Sequence, residues 1–101
     1  MDPRIHRARE IVECEAAAVR QVAEGLGGSF TRALDMILAL RGRVVTAGMG
    51  KAGFIAQKVS ATLASTGTPS IFLHPAEAIH GDLGRVDRGD LLLAFSKSGE
   101  T

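Results

Sequence analysis

Apolar and small residues recur at three- and four-residue intervals through the start of the chain, at Ile5, Ala8, Val12, Ala16, Val19, Ala23 and Leu26, which is the stripe a helix buries. The opposite side is charged, with Arg9 and Glu13 and again Arg20 and Glu24 four residues apart, where opposite charges support a helix by about 0.3 kcal/mol each. His6 falls on that solvated side and has no chemical role. Gly27-Gly28 interrupts the pattern, and Ser29 is placed to cap a second helix whose inward residues are Phe30, Leu34, Ile37, Leu38 and the stem of Arg41, with Gly42 as its stop. From there the period changes. Residues 43–47 form a β-branched strand, and residues 52–66 a third helix with Ile55, Val59 and Leu63 inward. Ala56, Ser60, Ala61 and Ala64 leave the rest of that helix small enough for close packing. Residues 67–69 end it, residues 70–73 read as a second strand, and His74-Pro75 turns the chain away. After a turn at residues 87–90, residues 91–95 are apolar at every position, the pattern of a strand buried on both faces of a parallel sheet.

Strand, helix and strand in that order make a parallel, right-handed unit. The fold expected is therefore α/β, a three-layer doubly wound parallel sheet with about three strands ordered 2-1-3. Residues 1–42 form a helical pair and residues 43–101 the sheet region of one domain. A helix is expected directly after the last strand, so the chain reads as an incomplete N-terminal portion whose strand at 91–95 keeps exposed apolar surface. The chain has 101 residues, enough for one core. Its formal net charge of +1 is too small a field to attract nucleic acid, and it has no Trp or Tyr to stack on bases. One cysteine, Cys14, precludes an internal disulfide, and no apolar run approaches the roughly 20 residues of a membrane span. A cytoplasmic protein with no membrane partner is expected.

The chemistry concentrates in three stretches. Residues 43–53 run from the first strand into Gly48, Gly50 and Gly53, spaced G-x-G-x-x-G, with Lys51 among them. Glycines at such a turn let a ligand approach the backbone, and the free N–H groups of the next helix attract anions. The same spacing also serves a tight turn with no ligand. Ser96, Ser98, Gly99 and Thr101 follow the third strand, where hydroxyl and backbone donors can surround a phosphate or cap a helix. In a parallel sheet both loops leave the same edge. The stretch 74–84 holds His74, Glu77, His80 and Asp82. His80 is the candidate for moving protons at a sugar hydroxyl, or else is hydrogen-bonded within its loop; the four together lack the spacing of helical zinc sites. Position 45 is not glycine and Ala52 replaces a magnesium-binding hydroxyl, which argues against a nucleotide P-loop. Phe72-Leu73-His74 stands where a dinucleotide site needs a ribose-binding acid.

The stretches Gly48-Met-Gly-Lys-Ala-Gly, Ala64-Ser-Thr-Gly-Thr-Pro, His74-Pro-Ala-Glu-Ala-Ile-His-Gly-Asp-Leu-Gly and Ser96-Lys-Ser-Gly-Glu-Thr resemble the sugar isomerase (SIS) domain, and within it the arabinose 5-phosphate isomerases of the KpsF/GutQ kind. The resemblance implies interconversion of ribulose 5-phosphate and arabinose 5-phosphate through an enediol, supplying the Kdo sugar of lipopolysaccharide, with no cofactor required. It implies catalytic roles for Lys51 and His80 and substrate contacts from Gly48, Gly50, Gly67, Thr68, Ser96, Ser98 and Thr101. It also implies zinc uptake at His74 and a homo-oligomer, dimer or tetramer, for the full-length protein. A phosphosugar-binding regulatory domain without catalysis is the alternative. Ala52 departs from a common serine and Lys97 from the usual asparagine. Members of the family continue for a further hundred or so residues and often add CBS domains. Their general base lies in that part, so the 101-residue chain alone is expected to be inactive.

Overall fold

The computed structural model describes residues 2–100, in two compact units divided between Leu34 and Asp35. The division falls inside the second helix. Hydrogen bonds tie the segment after that helix to the sheet. Gly42 N–H donates to the Gly89 carbonyl at 3.1 Å, and Leu91 N–H to that of Arg43 at 2.9 Å.

The first helix, α1 (Pro3–Gly25), starts where Asp2 accepts the Arg4 backbone N–H at 2.8 Å and Pro3 opens the first turn. His6 pairs with Glu10 one turn on, at 2.8 Å, and Arg7 reaches the same carboxylate at 3.0 Å. The second helix, α2 (Gly28–Leu38), begins one residue before the expected cap, since the Gly27 carbonyl receives the Phe30 and Thr31 N–H groups. Ser29 thus lies inside the helix. Leu38 is 82% exposed rather than inward, and the helix ends there instead of running to Gly42.

The sheet has three parallel strands, β1 (Val44–Gly48), β2 (Ser70–Phe72) and β3 (Leu91–Phe95), in the order β2-β1-β3. Central β1 is buried at every position, as a strand flanked on both sides must be. Edge strand β3 is not. Its positions alternate between half-buried and exposed, and Leu92 is 58% exposed, which corrects the reading of 91–95 as buried on both faces. Register explains the alternation: Leu93 pairs with Thr46, whose hydroxyl donates to the Ala56 carbonyl of α3 (Gly50–Ser65) at 2.7 Å. Leu91, Leu93 and Phe95 therefore share the face covered by α3, while Leu92 and Ala94 share the other.

Helix α3 packs through its small residues. Gly53, Ala56 and Ser60 are its buried positions, while Ile55, expected inward, is 55% exposed. Small side chains let the helix axis approach the strands closely, and hydrogen bonds fill the contact: Thr46 to the Ala56 carbonyl, and Ser60 Oγ with Ser70 Oγ at 2.8 Å. Two glycines complete it. A Cβ on Gly53 would stand 2.6 Å from the Gly48 carbonyl oxygen, and one on Gly48 would stand 2.8 Å from the Ala52 carbonyl.

At the amino edge of the sheet, Asp90 holds the turn before β3. Its side chain, 3% exposed, accepts the backbone N–H groups of Asp87 and Arg43, both at 2.8 Å, with the Arg43 guanidinium 3.5 Å away. Those donors, the Asp87 N–H foremost and then the Arg43 N–H, hold its carboxyl below the usual aspartate range.

Candidate functional site

The carboxyl edge of the sheet is built by register. Gly48 pairs with Phe95, so the loops following β1 and β3 emerge side by side. The first turns into α3 with Met49 as cap residue and Gly50 at φ 57°, the left-handed region that favours glycine. Gly53 N–H donates to the Met49 carbonyl, which leaves the N–H groups of Gly50, Lys51 and Ala52, in the first turn of α3, without helical acceptors. The three glycines of the motif thus divide their work. Gly48 and Gly53 allow strand and helix to touch, and Gly50 makes the turn.

The loop after β3 is shaped by its own hydroxyls. Ser96 Oγ accepts the Gly99 N–H at 2.8 Å and Ser98 Oγ accepts the Glu100 N–H at 3.2 Å, with Gly99 at φ 82°. A hydroxyl that accepts in this way keeps its proton to donate elsewhere. Thr101 lies outside the described residues. Between the two loops lies a hollow of about 120 Å³, lined by residues including Gly48, Met49, Pro75, Phe95 and Ser96. Beside it, Lys51, Ala52, Phe95, Ser96 and Lys97 line hollows of about 260 Å³, with Met49, and about 330 Å³, with Ile55. Lys51 and Ser96 are therefore brought together, as the sequence suggests. Met49, Pro75 and Phe95 were missed as lining residues because only the register places them there.

The histidine-rich stretch is more ordered than a bend. It forms α4 (Pro75–Ile79) and a 3-10 turn (Asp82–Arg85), neither of which shows a period long enough to read from sequence. His74 caps α4, its Nδ1 accepting the Ala76 N–H at 3.1 Å, and its ring stands edge-on to Phe72 at 6.3 Å between centroids. That leaves one ring nitrogen. Among the described residues no group of three or more His, Cys, Asp or Glu side chains could hold a metal ion. His80 ends α4 and is exposed; it leaves the same sheet edge but lines none of the hollows described.

Gly67 and Thr68 stand elsewhere. They terminate α3, with Gly67 at φ 100° and Thr68 N–H donating to the Leu63 carbonyl at 2.9 Å, the arrangement of a glycine helix stop. A 16-residue helix separates them from Lys51 by about 24 Å at 1.5 Å per residue. The expected substrate contacts at Gly67 and Thr68 are thus not brought to the cleft within this chain.

A parallel α/β sheet whose first and third strands open into adjacent loops at the carboxyl edge belongs to the open-sheet α/β class, in which ligands collect at that edge. Residues 37–101 match the SIS domain family, and the chain belongs to it. It is 50% identical over 97 residues to the arabinose 5-phosphate isomerase KdsD of Pseudomonas aeruginosa, covering 96% of this chain and 30% of that protein. It is 48% identical over 98 residues to the arabinose 5-phosphate isomerase KpsF of Escherichia coli O6:H1, again covering 96% of this chain and 30% of that protein. A solved structure of an E. coli CFT073 protein in complex with arabinose 5-phosphate superposes with a TM-score of 0.91 at 43% identity, over 96% of this chain and 52% of that one. The chain thus spans 30% of the length of these curated relatives.

Proposed function

We propose that the protein is an aldose-ketose isomerase interconverting ribulose 5-phosphate and arabinose 5-phosphate through an enediol, in the supply of Kdo for lipopolysaccharide. The observation that carries this reading is the shared cleft in which Lys51, at the start of α3, meets Ser96 and the loop after β3. The substrate's phosphate sits against the Ser96 and Ser98 hydroxyls and the N–H groups of the first turn of α3, which fixes the sugar end to end. Lys51 faces the oxygen that gains negative charge as the carbon proton leaves. His80 moves a proton between the two sugar oxygens as the carbonyl changes place; it does so from the end of α4. None of the residues lining the hollows is a carboxylate, so removal of the carbon proton falls to a group outside that set. The second reading is a regulatory domain that binds phosphosugars without turning them over. No cofactor enters either reading. The lone Cys14 suits a reducing cytoplasm.

Assay of the full-length protein with arabinose 5-phosphate separates the two readings. Interconversion that falls sharply in Lys51→Ala and His80→Ala supports the enzyme. Binding without turnover supports the regulator, and calorimetric heat with NAD but none with sugar phosphate sinks both.

A further inference from the structure

Lys97 is left without a role by the loops' hydroxyl chemistry, yet the structure puts it in the cleft. With Lys51, Ala52, Phe95 and Ser96 it lines both of the larger hollows. None of the lining residues there is acidic. Neither lysine joins any of the ion pairs among the described residues. The Ser96 and Ser98 turns fix the backbone on either side of Lys97, so its stem leaves from an ordered position. Two ammonium groups beside one cavity repel each other. An anion between them removes that cost. A monoanion leaves one positive charge uncompensated, whereas a phosphomonoester dianion matches both.

We propose that Lys97 supplies the second full positive charge of the phosphate cradle and makes the cleft selective for a terminal phosphomonoester over singly charged phosphodiesters. The inference rests on the reading of these loops as a phosphate site; beside Lys51, whose charge on the shared hollows acts on the phosphate as well as on the reacting oxygen, it adds a residue that acts on binding alone. Lys97 is thus a specificity residue rather than a catalytic one.

The test uses the full-length protein and its Lys97→Gln and Lys97→Arg variants, titrated calorimetrically with inorganic phosphate and with dimethyl phosphate at several salt concentrations. Loss of one charge-assisted contact should weaken inorganic phosphate about tenfold in Lys97→Gln. It should also flatten the salt dependence and shrink the preference over dimethyl phosphate, while Lys97→Arg stays close to the parent. In steady-state assays with arabinose 5-phosphate, Lys97→Gln should raise KM and leave kcat in place. Equal phosphate affinity and equal salt dependence in parent and Lys97→Gln overturn the role of Lys97 even if turnover is robust. Phosphate binding that depends on Lys97 in a protein with no turnover supports that role and removes the isomerase reading alone.

Discussion

The two edges of the sheet are made of similar residues used in opposite ways. At the amino edge, glycines 42 and 89 touch and Asp90 commits its carboxylate to two backbone N–H groups and the Arg43 guanidinium. At the carboxyl edge, glycines 48 and 53 touch as well, but Lys51 and Lys97 beside them have no ion-pair partner among the described residues. The serine hydroxyls there still have protons to give. One edge satisfies its polar groups internally and the other leaves them open. Polar groups satisfied within the chain stabilise it; those left facing a cavity are available to a ligand.

The largest effects should come from breaking the carboxyl edge in its two different parts. Lys51→Ala in the full-length protein should lower kcat by about 10²- to 10⁴-fold, the range for losing a group that serves the transition state, with an unchanged melting temperature. Activity within a few-fold of the parent would remove Lys51 from the mechanism. Gly53→Ala attacks the scaffold instead. Its Cβ would stand 2.6 Å from the Gly48 carbonyl oxygen, which is backbone and cannot swing aside. We expect a loss of about 1–3 kcal/mol in stability, measured by urea unfolding, whereas Gly50→Ala meets nothing within 4 Å and is strained only by its φ of 57°. Equal losses at the two positions would mean that the close approach is relieved by a shift of α3.

How much of this was legible follows from the length of each pattern. Parallel β1, β2 and β3 and their order could be read because a β-branched strand, a long helix and an apolar strand each carry their own period. The inward face of α3 was misread at Ile55, since periodicity weighs hydrophobicity while the contact is governed by the small size of Gly53, Ala56 and Ser60. The exposed alternation of β3 was hidden for the converse reason: Leu92 and Ala94 are apolar whether or not anything covers them. At the site, Lys51 and Ser96 were legible because both follow strands that a parallel sheet brings together. The place of Lys97 in the same hollow depends on the Ser96 and Ser98 turns, and that of Met49, Pro75 and Phe95 on register, none of which a linear pattern records.

Acid should weaken the amino edge before the carboxyl edge. The folded-state pKa of Asp90 is lowered, chiefly by the Asp87 N–H and then by that of Arg43, so native Asp90 binds its proton less readily than the unfolded chain does. Its contribution to stability is therefore complete above the ordinary aspartate range, near pH 4, and is lost as pH falls through the lower folded value. Melting temperatures of the parent and Asp90→Asn, followed from neutral pH downwards, should differ most near neutrality and converge in acid. A constant difference would show that the carboxylate's charge does not matter and that only its shape does.

The smallest effects belong to Gly67 and Thr68, and they decide between two roles. The resemblance to sugar isomerases makes Gly67 and Thr68 substrate contacts, while the structure makes them the stop of α3, about 24 Å along the helix from Lys51. If Gly67 only stops the helix, Gly67→Ala forces an L-residue into φ 100° and should cost about 1 kcal/mol of stability. KM for arabinose 5-phosphate in the full-length protein should not move, because nothing at the shared cleft changes. Thr68→Ala should cost still less, since the bond that matters, from its backbone N–H to the Leu63 carbonyl, survives the substitution. A several-fold rise in KM for either variant, with stability intact, would mean that the α3 stop reaches a substrate after all. The cleft it completes would then belong to a neighbouring copy of the chain, because an α-helix of this length cannot fold back on its own first turn.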